Sequence, residues 1–299
     1  MAILIDRTTR VVVQGITGRQ GRTSTKLMKD YGTNIVAGVT PGKCGQEVHG
    51  LPVFDSMAQV FESVGPVDAS VTFIPAPLVK RAVVEALETG VKLIMIPVDR
   101  MPIHDVIEAV QLAERHGATI IGPNSAGLVS SGEALLGMIG GDAEGARMLF
   151  QPGPVGVMSR SGGMTTTIAY YLSQASLGQS TVISVGGDAI IGRSIPELLP
   201  LFEQDEKTKC VAIFGEIGTT QEERAAEMIE RGEFTKPLVA YIAGVSAPEG
   251  MRFSHSAAIV SGSSGSAQDK INRLKEAGAV VVEDVMDIPA AVAKAIQSS

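Results

Sequence analysis

Tryptophan is missing from these 299 residues, and all aromatics together make up 4%. The core must then be filled by Val, Ile, Leu, Ala and Met, with few rings to anchor it. Cysteine is almost as scarce. Cys44 and Cys210 lie far apart, which gives neither a disulfide framework nor a zinc-ligand spacing, and no metal site is expected. There is no basic excess. A net charge of −7 argues against a general nucleic-acid or anionic-membrane surface, so any anion must be held by local dipoles and a few placed cations. No uncharged apolar run approaches the roughly 20 residues of a spanning helix. The start, Met1-Ala2-Ile3-Leu4-Ile5-Asp6-Arg7, lacks the apolar region of a signal peptide. A soluble cytoplasmic protein with no nucleic-acid or membrane partner is the simplest expectation.

What is present is glycine, at 34 residues, in a chain that is 44% hydrophobic and 19% charged. That balance fits compact domains, and the length suggests two. Short β-rich runs alternate with helical patterns. In the first half the strands are expected at Arg10–Gln14, Asn34–Val39, Ala69–Ile74, Lys92–Pro97 and Ala118–Ile121. Helices are expected near Thr23–Asp30, Met57–Ser63, Val79–Thr89 and His104–His116, the last stopped by Gly117. Alternation resumes with strands at Pro154–Ser159, Ser180–Val185, Cys210–Gly215, Leu238–Ile242 and Ala279–Glu283. Helices follow Gly163 and span Ser194–Glu203, Gln221–Arg231, Ala267–Ala277 and Pro289–Ile296. Such alternation implies parallel, doubly wound α/β sheets. The Gly- and Pro-punctuated stretch between marks a boundary, giving domains at 1–130 and 154–299 with 131–153 as linker.

Three strand-to-helix turns carry chemistry. The first, Gly15-Ile16-Thr17-Gly18-Arg19-Gln20-Gly21, lets backbone approach a phosphate at a helix N-terminus. Its spacing is G-x-x-G-x-x-G, not the dinucleotide fingerprint. Thr40-Pro41-Gly42-Lys43 stands where a nicotinamide enzyme would place an acid for its ribose diol. A nicotinamide oxidoreductase is therefore disfavoured, and Lys43 leans the turn towards a phosphorylated adenosine ligand such as coenzyme A. The bland alternative is a turn that only closes a helix onto a sheet. The second turn, Ser159-Arg160-Ser161-Gly162-Gly163, offers N–H groups and a hydroxyl as an anion nest. A nucleophile-elbow serine needs G-x-S-x-G, which this is not. The third, Phe214-Gly215-Glu216-Ile217-Gly218, ends an apolar strand with a carboxylate. Glu216 is either an orienting group for an imidazole or a helix N-cap.

His255 sits among small residues, Ser254-His255-Ser256-Ala257-Ala258, ahead of Ser261-Gly262-Ser263-Ser264-Gly265. An imidazole without bulk around it can be approached, and it is a nucleophile near neutral pH. The chain supplies no other strong nucleophile.

Together these segments resemble the α subunit of NDP-forming acyl-CoA synthetases, the succinyl-CoA synthetase family, nearly end to end. The matching stretches include Gln14–Gly21, Gly38–Lys43, Gly50–Phe54, Pro75-Ala76-Pro77, Gly122-Pro123-Asn124, Ser159–Gly162, Gly186-Gly187-Asp188, Gly215–Gly218, Tyr241–Gly244 and Ser246–Gly250 ahead of His255. The resemblance implies a Rossmann-like CoA-binding domain followed by a flavodoxin-like ligase domain. It implies an ATP-grasp β subunit that binds NTP and Mg²⁺ and phosphorylates His255, in an αβ or α2β2 heteromer. His255 and Glu216 would be catalytic, and Ser161, Gly162 and Gly163 would bind the phosphoryl group. Thr17, Gly18, Arg19, Gln20, Lys43, Pro97, Val98 and Asp99 would line the CoA site. The phosphoryl group would pass to an organic acid as an acyl phosphate, which CoA thiolate displaces.

Departures from the family cluster where the acid would sit. Cys-Pro after Gly-Pro-Asn becomes Ser125-Ala126, Thr-Leu-Thr-Tyr-Glu becomes Gly163-Met164-Thr165-Thr166-Thr167, and an arginine, Arg193, follows Gly192. Asn124, Ser125, Thr166 and Arg193 are thus the candidate acid-binding residues. An anionic acid other than succinate is expected, either malate-like or sulfonated as sulfoacetate is. The alternatives are an ordinary succinate enzyme with neutral drift, and a CoA-binding regulatory protein that needs neither His255 nor Glu216.

Overall fold

The computed structural model describes residues 3–245 and 266–298; His255 and its flanking segment lie outside them. Two sheets form, each of seven strands among the described residues. The first is built from β1 (Val11–Gln14), β2 (Ile35–Val39), β3 (Glu47–Val48), β4 (Leu51–Phe54), β5 (Ala69–Thr72), β6 (Leu93–Met95) and β7 (Thr119–Ile121). Its order is β3-β4-β2-β1-β5-β6-β7, parallel except where the short β3 turns back along β4. That is the doubly wound order, reversing at β1/β5. Its helices are α1 (Arg19–Tyr31), α2 (Met57–Val64), α3 (Val79–Glu88) and α4 (Ile103–Arg115).

The second sheet takes β8 (Gly127–Ser130), β9 (Ala134–Gly137), β10 (Pro152–Ser159), β11 (Gln179–Ser184), β12 (Cys210–Glu216), β13 (Leu238–Ala243) and β14 (Val280–Val282). Its order is β14-β13-β12-β10-β11-β8-β9. Strands β10 to β14 are parallel in the flavodoxin-like order, and the β8–β9 hairpin adds antiparallel at the β11 edge. The helices here are α5 (Ala143–Leu149), α6 (Gly162–Gln174), α7 (Ile195–Gln204), α8 (Gln221–Glu230), α9 (Ala267–Glu276) and α10 (Ile288–Ser298).

Strands buried on both faces explain why they read as unbroken apolar runs. In β1, Val11 and Val13 enter one core cluster and Val12 the other, as a period of two requires. The cluster holding Val11 and Val13 continues through Leu128 and Phe202 into the second sheet. Residues 131–153, expected as a linker, carry β9 and α5, and β8 already belongs to the second sheet. The joint is made by side chains. The Thr33 hydroxyl donates to Leu135 O at 2.7 Å and accepts the Leu135 N–H at 3.0 Å. The Arg147 guanidinium covers the Tyr31 ring at 5.6 Å. Burial pushes the Tyr31 phenol above its ordinary pKa. Among the described residues no helix is long and apolar enough to cross a membrane.

Candidate active site

The three glycines of the first turn have separate jobs. Gly15 adopts φ +82°, and a Cβ there would lie 2.3 Å from Phe73 O. At Gly21 a Cβ would lie 2.2 Å from Gly15 O, so only glycine lets α1 press onto the end of β1. Gly18 is the N-cap of α1 and supplies no side-chain cap. The first-turn N–H groups of α1 are therefore left for a ligand. Thr17 contacts the Thr40 hydroxyl through both its N–H (3.4 Å) and its Oγ1 (3.2 Å). These contacts bring the loop after β2 alongside the turn, and within that loop Lys43 N–H donates to Thr40 O at 3.1 Å. Arg19, Gln20 and Lys43 are exposed there. Pro97, Val98 and Asp99 follow β6 at the same carboxyl edge, and Val98 O accepts the Asn124 N–H at 2.8 Å. Open N–H groups beside two cations fit a ligand rich in phosphate.

The second constellation lies at the carboxyl edge of the second sheet. Ser161 caps α6, its Oγ accepting the Met164 N–H at 3.4 Å. A Cβ on Gly163 would meet nothing among the described residues, whereas a Cβ on Gly162 would sit 2.8 Å from Ala126 Cβ. The α6 N-terminus is thus packed against the Asn124–Ala126 loop. Asn124 has φ +58° and follows the cis Gly122–Pro123 peptide. Its Nδ2 donates to Asp188 Oδ1 at 3.0 Å.

Ser125 and Thr166 do not present free hydroxyl hydrogens. Ser125 is buried, donates to Ser184 O and accepts the Gly127 N–H. Thr166 Oγ1 donates to Gly162 O at 3.2 Å, and Thr165 and Thr167 likewise donate back into the helix. Arg193 differs from both. Its backbone N–H is held by Ile120 O at 2.8 Å. Among the described residues its half-exposed guanidinium donates no hydrogen bond and enters no ion pair.

Glu216 is the last residue of β12 and is 8% exposed. It is not the cap of α8; Thr220 holds that position. Sequence reasoning gave no role to the charges around it. Arg160 is wholly buried, with Nη1 3.4 Å from Glu216 Oε1. Glu216 N–H donates to Glu222 Oε1 at 3.3 Å. Glu222 Oε2 meets Lys270 Nζ at 2.5 Å, and both side chains are fully buried. Lys270 also reaches Glu223 at 2.7 Å and Thr219 O at 3.0 Å. A signal for Lys270 exists in the sequence: it occupies the stripe of Ala267 and Leu274 on α9, where an apolar residue belongs. The register partner of Glu216 is Ala243. The described chain stops two residues later and resumes at Ser266, the cap of α9.

An α/β chain with a glycine-bearing strand-to-helix turn in each domain and a buried carboxylate beside the second has the outline of a CoA ligase. The CoA binding domain family matches residues 6–97, and the CoA-ligase family matches residues 158–280. The chain is 47% identical to "Succinate--CoA ligase [ADP-forming] subunit alpha 2" of Archaeoglobus fulgidus, covering 98% of this chain and 99% of that protein. It is 43% identical to an ADP-forming sulfoacetate-CoA ligase subunit of Acholeplasma sp, over 95% and 94% of the two chains. ATP citrate lyase from Methanothrix soehngenii has the same fold, with a TM-score of 0.90 at 23% identity; this chain spans 51% of that one. The chain belongs to the CoA-ligase family of succinate–CoA ligase α subunits.

Proposed function

We propose that this chain is the α subunit of an NDP-forming acid–CoA ligase that works through phospho-His255, with an ATP-grasp β partner supplying NTP and Mg²⁺. The observation that carries the reading is the convergence at one sheet edge of the open α6 N-terminus, Ser161-Gly162-Gly163, with the buried Glu216. A phosphoryl group on an imidazole is anionic and is stabilised by preorganised N–H donors. Glu216 holds the other ring nitrogen, fixing tautomer and orientation. The acid then takes the phosphoryl group while CoA lies over the first-domain turn. Thr17, Gly18, Arg19, Gln20 and Lys43 hold its phosphates, and Pro97, Val98 and Asp99 line the way to the second site. The naming of relatives as α subunits supports a partner subunit; we read the assembly as αβ or α2β2 and its setting as cytoplasmic.

For the acid, we read a small anionic carboxylate other than plain succinate, either malate-like or sulfonated. Relatives named for succinate and for sulfoacetate lie at similar identity, so overall similarity does not choose. The unengaged guanidinium of Arg193 favours an acid with additional oxygen acceptors. Asn124 contributes an oriented amide, while Ser125 and Thr166 shape the wall rather than donate to the acid. One unmet polar contact is worth about 1–3 kcal/mol, so discrimination of roughly 5- to 150-fold is expected. Comparing kcat/KM for succinate, malate and sulfoacetate in the complex with the native β partner tests this. A preference for succinate overturns the substrate reading and leaves the ligase reading standing.

A further inference from the structure

We propose that Arg160 is a positioning residue that sets the Glu216 carboxylate and joins it to the phosphate-binding turn. The inference rests on the reading that Glu216 orients the His255 imidazole, and it names the group that orients Glu216.

Arg160 is among the largest fully buried side chains of the protein. A guanidinium carries five N–H donors in a rigid fork. Here Nη1 donates to Thr219 Oγ1 at 3.1 Å and lies 3.4 Å from Glu216 Oε1, and Nη2 donates to Asp188 O at 3.3 Å. Nε is buried with no hydrogen-bond partner among the described residues. So few hydrogen bonds do not offset the loss of water around a full positive charge; the nearby carboxylate supplies the rest. A residue kept only to fill space would be apolar at this depth.

Its connections say what the charge does. Arg160 is bonded in the chain to Ser161, the cap of α6. Asp188, whose carbonyl it grips, holds Asn124 through its side chain. Thr219, which it also grips, lies in the turn after β12 and gives its carbonyl to Lys270. One buried fork therefore ties together the anion-binding helix end, the Asn124 loop and the strand end bearing Glu216. Any shift of α6 relative to β12 must break it. It can fix the distance between the phosphate site and the orienting carboxylate without touching substrate.

The test is a double-mutant cycle in the αβ complex, reading transfer of label from γ-labelled ATP with Mg²⁺ to this chain, alongside CoA affinity. Misplacing a reacting group by about 1 Å costs on the order of 10²-fold in rate. Arg160→Met is expected to slow labelling by about 10²-fold with CoA affinity within about twofold, and Arg160→Lys to regain about tenfold. Because Arg160 acts through Glu216, Arg160→Met/Glu216→Gln should be no slower than the slower single variant. It should also melt above Glu216→Gln, in which the buried guanidinium has lost its nearby carboxylate. Losses that multiply in the double variant, or labelling by Arg160→Met at the wild-type rate, would overturn the proposal. If Arg160→Met does not fold, Arg160→Lys with Glu216→Gln closes the same cycle. A wild-type complex that takes no label from either γ-labelled ATP or γ-labelled GTP refutes the ligase reading and this inference with it; labelled wild type with unaffected Arg160→Met refutes this inference alone.

Discussion

Lys270→Met should destabilise the second domain sharply, and the size follows from its surroundings. The Lys270 and Glu222 side chains are both 0% exposed, with Nζ 2.5 Å from the carboxylate. The ammonium also serves Glu223 Oε2 and Thr219 O. Methionine matches the stem of lysine, so packing is largely kept. What is lost is the charge beside a carboxylate that has no water to replace it, while the Glu216 N–H at 3.3 Å remains. Removing one partner of a buried pair costs about 3–5 kcal/mol. At about 2–4 °C per kcal/mol for a domain of this size, Tm should fall by roughly 6–20 °C. Lys270→Met/Glu222→Gln should recover most of that, because a neutral pair of similar shape leaves no isolated buried charge. Thermal melts of the wild type, both singles and the double measure it. A single variant within about 1 °C of wild type would show that the pair contributes little and that Glu222 is rehydrated.

Other consequences are read more simply. Gly162→Ala should cost about 1–3 kcal/mol in denaturant melts, since its methyl meets Ala126 Cβ at 2.8 Å, whereas Gly163→Ala, whose methyl meets nothing among the described residues, should be neutral or gain up to about 1 kcal/mol. Equal losses would mean that the Ala126 contact is not tight. Lys43→Ala should weaken CoA by about 1–3 kcal/mol if its ammonium meets a phosphate, and less for dephospho-CoA if that phosphate is the 3′ group. Calorimetry with the two ligands decides. Burial pushes the Cys210 thiol up to about 12, so at pH 8 a disulfide reagent should modify exposed Cys44 alone until the protein unfolds. Fast reaction surviving in Cys44→Ser would refute that.

The doubly wound halves were legible because their strands are buried on both faces and each helix begins at a marked turn. The β8–β9 hairpin was not. A Cβ on Gly137 would lie 2.7 Å from Gly127 Cα, so the glycines that permit close strand contact read as loop punctuation. Glu216 was legible from its place at the end of an apolar strand, between glycines. Arg160 was not, because its burial depends on a partner far away in sequence, Glu216; Lys270 shows as a charge in the apolar stripe of α9, but its partner Glu222 does not. Ser125 and Thr166 were found as departures, but the direction of a hydroxyl is set by which carbonyl lies nearest, and no sequence pattern states that.

The central claim is that His255 carries the phosphoryl group, and the direct measurement is covalent. The complex with the β partner, incubated with γ-labelled ATP and Mg²⁺, should place acid-labile, base-stable label on this chain, and His255→Ala should take none. Chase with CoA and the acid should discharge it. Label of undiminished yield on His255→Ala would contradict the account.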